Sequence, residues 1–182
     1  MKTEFEKLRN QEWTDMYDEE IHKRLYEGKR KSCEFNQTFC NGPGFRDALK
    51  NLIPSIPNSS IICPPFYCDY GDGVLLGENV FINMNCTFLD GGYIMIGNNT
   101  LIGPNVQIYT PHHPKDAKQR RTLIEKSLPV TIGSDCWIGG GVIICPGVII
   151  GDRVIVGAGS IVTKNIASDA VVAGNPARTI KK

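Results

Sequence analysis

The chain has 182 residues, 41% hydrophobic and 8% aromatic, with 20 basic and 19 acidic side chains for a formal charge of +1. That composition fits one soluble domain, or one domain with a small appendage, and excludes disordered, collagen-like and membrane-spanning chains. The near-neutral total provides no field for nucleic acid or an anionic membrane, so the expected partner is a small molecule or another protein.

The opening segment MKTEFEKLRNQEWTDMYDEE alternates charges and lacks the apolar core of a secretory signal, so a cytoplasmic location is expected. Residues 1–50 carry ten acidic and ten basic side chains, against nine and ten in residues 51–182. Charge density therefore falls near Asn51 to Pro57, which predicts a head over 1–53 and a main unit over 54–182. In the head, Phe5, Leu8, Trp13, Met16, Tyr17, Ile21 and Leu25 recur at three- and four-residue steps, which predicts helix. A second helix is expected over Phe45 to Leu52. Both are too short to make a core alone and should fold against the main unit or a neighbouring subunit.

From about Ile56 the period becomes six. Ile132, Ile138, Ile144, Ile150, Val156 and Val162 recur at every sixth residue, with Cys136, Val142, Val148, Val154, Ser160 and Ile166 four positions after each. Earlier, Leu76, Ile82 and Phe88 keep the same frame, and it resumes at Ile96, Ile102 and Ile108 after an insertion near Gly91 to Tyr93. A period of six is neither helical nor an alternating strand. It describes a parallel β-helix whose prism interior is filled by stacked aliphatic side chains. A β-sandwich would show alternation with irregular spacing instead. Glycine recurs at the second position of the hexad (Gly77, Gly97, Gly103, Gly133, Gly139, Gly151, Gly157), where tight corners are expected. The seven cysteines form no C-x-x-C pair, so most are expected to be buried thiols, Cys86 and Cys136 among the interior fillers.

The largest interruption of the repeat is the segment 110–129, TPHHPKDAKQRRTLIEKSLP, with Ile108 and Ile132 still in frame on either side. An excursion from a uniform scaffold is the place to seek function. It carries His112, His113 and the basic group Lys118, Arg120 and Arg121.

The runs PPFYCDYGDGVLLGENVFINMNCTFLD, TLIGPNVQIYTPHHP, VTIGSDCWIGGGVIICPGVIIGDRVIVGAGSIVTKNI and AGNPARTI, taken in this order, resemble the maltose and galactoside O-acetyltransferases of the hexapeptide-repeat superfamily. The likeness spans nearly the whole chain, the charged helical head included. It implies a left-handed β-helix, a homotrimer with active sites between adjacent subunits, acetyl-CoA as donor, no metal, and transfer to a sugar hydroxyl, 6-OH by analogy. His113, immediately before the proline, matches the catalytic histidine. As general base it would take a proton from the attacking hydroxyl. Glu125 could orient it, while His112 reads as an ordinary loop residue.

By the same resemblance Asp15, Asp69 and Asn83 match acceptor-binding positions. Asp90 stands beside a sugar-binding carboxylate position whose counterpart here is Gly91, and is taken as a further acceptor contact. Gly140, Ala158, Thr163, Lys164 and Arg178 match the donor groove, with Lys181 where relatives often have arginine, and Trp137 either flanks it or makes a subunit contact. The competing readings are a non-sugar acceptor such as an antibiotic or an amine, and a non-catalytic β-helix assembly protein. A zinc carbonic anhydrase would need three histidines from separate coils or chains, whereas His112 and His113 are adjacent and His22 lies in the head.

Overall fold

A computed structural model describes residues 2–181, and the side chain of Lys181 lies outside what it describes. The chain begins with α1 (Glu4–Arg9), whose start is fixed by a reciprocal cap: the Thr3 hydroxyl accepts from Glu6 N and the Glu6 carboxylate accepts from Thr3 N. The helical pattern expected to continue through Trp13, Met16 and Tyr17 is broken there by a two-residue strand, Thr14–Asp15. Local polar bonds cause the break: the Asp15 carboxylate accepts from Tyr17 N, and Asp18 then caps α2 (Glu19–Phe35) by accepting from Glu20 N and Ile21 N. Trp13 and Tyr17 are accordingly exposed, while Phe5, Leu8 and Ile21 are buried with Tyr70 in a small second core. Next comes α3 (Phe45–Leu52), where it was expected. Phe35, Phe45, Leu49 and Leu52 enter the main core, so the head is fastened to the first coils of the prism.

From Ile61 onward short strands wind into a left-handed parallel β-helix with three sheets, one per prism face. Ile62, Ile82 and Ile102 stack in register twenty residues apart, whereas Ile138 and Val156 stack eighteen apart. Ile102 pairs with Ile138 across thirty-six residues, so the excursion adds the equivalent of one coil without shifting the register. The hexad aliphatics from Ile132 to Val162 are all buried, as are Cys136, Val142, Val148, Val154 and Ser160, while Ile166 is only partly buried. The final coil is two residues shorter, pairing Val156 with Val172, and the tail strand Arg178–Lys181 folds back antiparallel to cap the stack.

The glycines serve a different purpose from the one their spacing suggests. Left-handed corners fall at the fourth position of the hexad, occupied by Asn79, Asn85, Asn99, Asn105, Asp135, Gly141, Gly147, Arg153, Gly159 and Asp169, all with positive φ. Asparagine and aspartate tolerate that conformation better than other side-chain-bearing residues. The second-position glycines instead let successive coils touch: a Cβ on Gly97 would lie 2.6 Å from Ser134 N, and one on Gly103 2.6 Å from Gly140 N. Three cysteines, Cys68, Cys86 and Cys136, are fully buried fillers. Cys33 and Cys40 are exposed and Cys63 and Cys145 partly buried, fewer buried thiols than expected.

Candidate active site

The excursion returns to the prism as the strand Ile124–Ser127, which is the centre of a three-stranded antiparallel sheet between Thr14–Asp15 of the head and Pro111–His112. Thr14 faces Glu125, and His112 faces Lys126. A short helix, α4 (Ala117–Arg120), capped by Asp116, closes the outer end of the loop. Thr110 anchors its inner end, donating to the Leu89 carbonyl and accepting from Gly92 N. The loop is thus held by the head on one side and by the prism on the other.

His113 lies just beyond the strand Pro111–His112, with Nε2 3.7 Å from Glu125 Oε2. The histidine is half exposed (51%) and the glutamate largely enclosed (12%), so the imidazole is reachable while its partner is shielded. Burial pushes the Glu125 carboxyl above the usual carboxylate range; His113 and a hydrogen bond from Ser127 Oγ (3.3 Å to Oε1) oppose that shift, and the charge of Asp69 adds to it. Ser127 is buried against Gly91 and Gly92. A Cβ at Gly91 would lie 2.4 Å from Ser127 Oγ, so a side chain there would turn the serine hydroxyl away. His112 instead approaches Trp13 (ring centroids 6.2 Å apart), and Lys126 Nζ lies 5.2 Å over the same indole.

Asp69 is partly buried and accepts from Lys29 Nζ at 2.6 Å. Its backbone, with the rest of the D-Y-G-D-G turn, is organised by Asp90. One Asp90 carboxylate oxygen accepts from Asp69 N and Tyr70 N (3.0 and 2.9 Å), the other from Gly71 N and Gly73 N (2.8 and 3.1 Å). Asp90 is completely buried, so the expectation that it contacts the acceptor is corrected: four N–H groups occupy its oxygens and none faces solvent. Arg9 of α1 reinforces the turn by donating to the carbonyls of Asp90 and Gly91 and to the Asp72 carboxylate. Arg9 and Lys29 were missed from sequence because their partners lie 81 and 40 residues away. Asp15 is exposed on the edge strand, next to Thr14.

The remaining expected residues fall into two other grooves. Asn83, Gly140 and Ala158 line one of about 450 Å³ together with Trp137 and Pro104, and neither His113, Glu125 nor Asp69 is part of its wall. A Cβ at Gly140 would sit 3.2 Å from the Pro104 carbonyl oxygen, narrowing this groove. Thr163, Lys164 and Arg178 line the other, about 610 Å³, between the last coils and the tail. No acidic side chain pairs with Lys164 or Arg178 among the described residues.

A hexapeptide β-helix with an excursion that carries a reachable histidine beside an enclosed carboxylate defines a transferase of the hexapeptide-repeat class. Residues 129–164 match the family described as bacterial transferase hexapeptide (six repeats). The chain is 39% identical to galactoside O-acetyltransferase of Escherichia coli K12, over 93% of its own length and 84% of that protein, and 42% identical to a putative acetyltransferase of Saccharomyces cerevisiae, over 91% and 85%. The crystal structure of a maltose O-acetyltransferase from Clostridium difficile 630 superposes with a TM-score of 0.95 at 44% identity, covering 100% of this chain and 97% of that one. A hexapeptide-repeat acetyltransferase from Vibrio cholerae, solved with acetyl coenzyme A, superposes at 0.92 with 35% identity, covering 100% and 98%. The chain belongs to the maltose and galactoside O-acetyltransferase family, and it is an acetyltransferase.

Proposed function

We propose that this acetyltransferase moves the acetyl group of acetyl-CoA to a hydroxyl, the 6-OH, of a sugar such as maltose, glucose or a galactoside, in the cytoplasm, with His113 as general base. The observation that carries this reading is the His113–Glu125 pair beside the Asp69 turn. A sugar hydroxyl is a poor nucleophile until its proton is removed, and a neutral imidazole is the side chain best poised to take it near neutral pH. Glu125 orients the ring: an N–H on the nitrogen facing the carboxylate leaves the other nitrogen's lone pair for the substrate. The same carboxylate stabilises the imidazolium that forms. Asp69, tethered by Lys29, and the exposed Asp15 supply acceptors for neighbouring sugar hydroxyls.

The chain's residues fit the donor. Bound acetyl-CoA supplies the acetyl group as an activated thioester. Gly140 and Ala158 leave room for a slender arm to approach the backbone, and Lys164 and Arg178 present charges suited to phosphates. Lys181, whose side chain lies outside the described residues, keeps its proposed place in this group.

Asn83 and Gly140 lie in a groove apart from His113, which a homotrimer reconciles if one subunit offers His113 and its neighbour that groove. Phe81, Leu101, Trp137 and Ile155 support self-association, forming an exposed apolar ladder in register along one prism face. The direct test is a panel of sugars and small amines with acetyl-CoA, followed by release of free thiol. Release with sugars, abolished by His113→Ala, is expected. Release with amines alone would reject the sugar reading, and near-normal turnover by folded His113→Ala would reject the base.

A further inference from the structure

Beside the Asp69 turn, a second groove of about 400 Å³ runs between α2 and the first coil, and the chemistry above does not use it. Its wall includes Lys29, Cys33, Gln37 and Tyr67. Tyr67 is exposed on the strand Phe66–Cys68, and Asp69 opens the turn directly beyond it, on the other side of the buried Cys68. Lys29 joins the two places, since it lines the groove and its ammonium bonds the Asp69 carboxylate.

The polar groups of the groove divide into spent and available. Ser32 and Asn36 are committed to the Phe66 backbone, through Ser32 Oγ donating at 2.7 Å and the Asn36 amide bonding both Phe66 O and Phe66 N. The Tyr67 hydroxyl and the Gln37 amide have no hydrogen-bond partner among the described residues, and Tyr67 is 46% exposed. The charge of Lys29 is matched by Asp69, so the groove does not call for an anion. The Gln37 amide and the Lys29 ammonium are exposed at its edge, where they can hydrogen-bond a polar ligand. What fits is a neutral ligand with an apolar face for the tyrosine ring and hydroxyls for the amide and ammonium, and that is a pyranose.

We propose that this groove is an acceptor subsite that holds the second ring of a disaccharide whose reacting ring lies at Asp69 and His113. The inference rests on the sugar reading above. It makes the preferred acceptor a disaccharide and gives Tyr67 the role of selecting it.

The test measures kcat/KM with acetyl-CoA for maltose and glucose in the wild type, Tyr67→Ala and Tyr67→Phe. Maltose or glucose is also added during alkylation of Cys33 by iodoacetamide, read by peptide mass spectrometry. The maltose-to-glucose ratio of kcat/KM is expected to fall at least tenfold in Tyr67→Ala and to be largely kept in Tyr67→Phe, which retains the ring. Maltose, and not glucose, is expected to slow Cys33 alkylation. An unchanged ratio in Tyr67→Ala with sugar turnover intact overturns the subsite and leaves the sugar reading standing. Failure of the wild type to acetylate any sugar overturns both.

Discussion

Thr14 of the head faces Glu125 of the excursion across an antiparallel bridge, and this pairing makes the head a wall of the site. The strand that carries Glu125 is held on its other edge by Pro111–His112, so the His113–Glu125 pair is clamped between two segments about a hundred residues apart in sequence.

His113→Ala should lower kcat by about 10²- to 10⁴-fold, the usual contribution of a positioned base. The side chain is half exposed and outside both cores, so the melting temperature should stay within a degree or two. Steady-state kinetics and a thermal melt on the same sample check this.

Glu125→Gln should separate activity from stability. Burial raises the folded carboxyl above its ordinary 4.5, so the folded chain holds this proton more tightly than the unfolded chain. The favourable contribution is therefore complete below the unfolded value and is lost as pH rises through the folded one. The amide removes that loss. The variant should melt higher than the wild type at pH 7, with the gap closing toward pH 4, and should transfer acetyl more slowly. Melts across that range, alongside turnover at pH 7, provide the check.

Asp90→Asn would turn an amide N–H toward one pair of backbone N–H donors. A cost of about 1–3 kcal/mol in stability is expected from the stranded buried donors. Because Asp69 N is among the groups released, KM for the sugar should rise more than KM for acetyl-CoA. Denaturant titration and paired KM measurements distinguish this from a uniform loss.

Lys164→Ala and Arg178→Ala should each raise KM for acetyl-CoA about tenfold while leaving KM for the sugar nearly unchanged, as loss of one hydrogen-bonded charge implies. The difference should shrink as salt is added, because both groups are exposed. KM at low and high ionic strength measures it.

Two glycines with different duties should respond differently to alanine. Gly103→Ala places a Cβ 2.6 Å from the next coil's backbone and should cost about 1–3 kcal/mol by overpacking. At Gly159 space is open but φ is +69°, so the cost there is the left-handed strain of about 1–2 kcal/mol. Within this pair, only alanine at 103 should disturb the stacking of neighbouring strands, which hydrogen exchange of Ile102 and Ile138 would report.

The unbroken run of hexads from Ile132 to Val162 determined the prism, because a side chain every sixth residue has only one interior to fill. The two-residue strand Thr14–Asp15 was not legible, since its partner lies more than a hundred residues away and the local pattern read as helix. Asp15 and the capping aspartate Asp18 are the local signals that could have marked the break.

The sequence by itself determined the interior of this protein and the in-frame excursion that carries His113, since periodicity is a property of neighbouring positions. Tertiary structure alone decided which side chains meet. It buried Asp90 beneath four backbone N–H groups, set Glu125 beside His113, and joined Lys29 to Asp69. It also placed the left-handed corners at the fourth position of the hexad and left the second-position glycines as contact points between coils. The physical reason is common to all of these: burial and hydrogen-bond satisfaction depend on neighbours brought from distant coils, which spacing along the chain does not record.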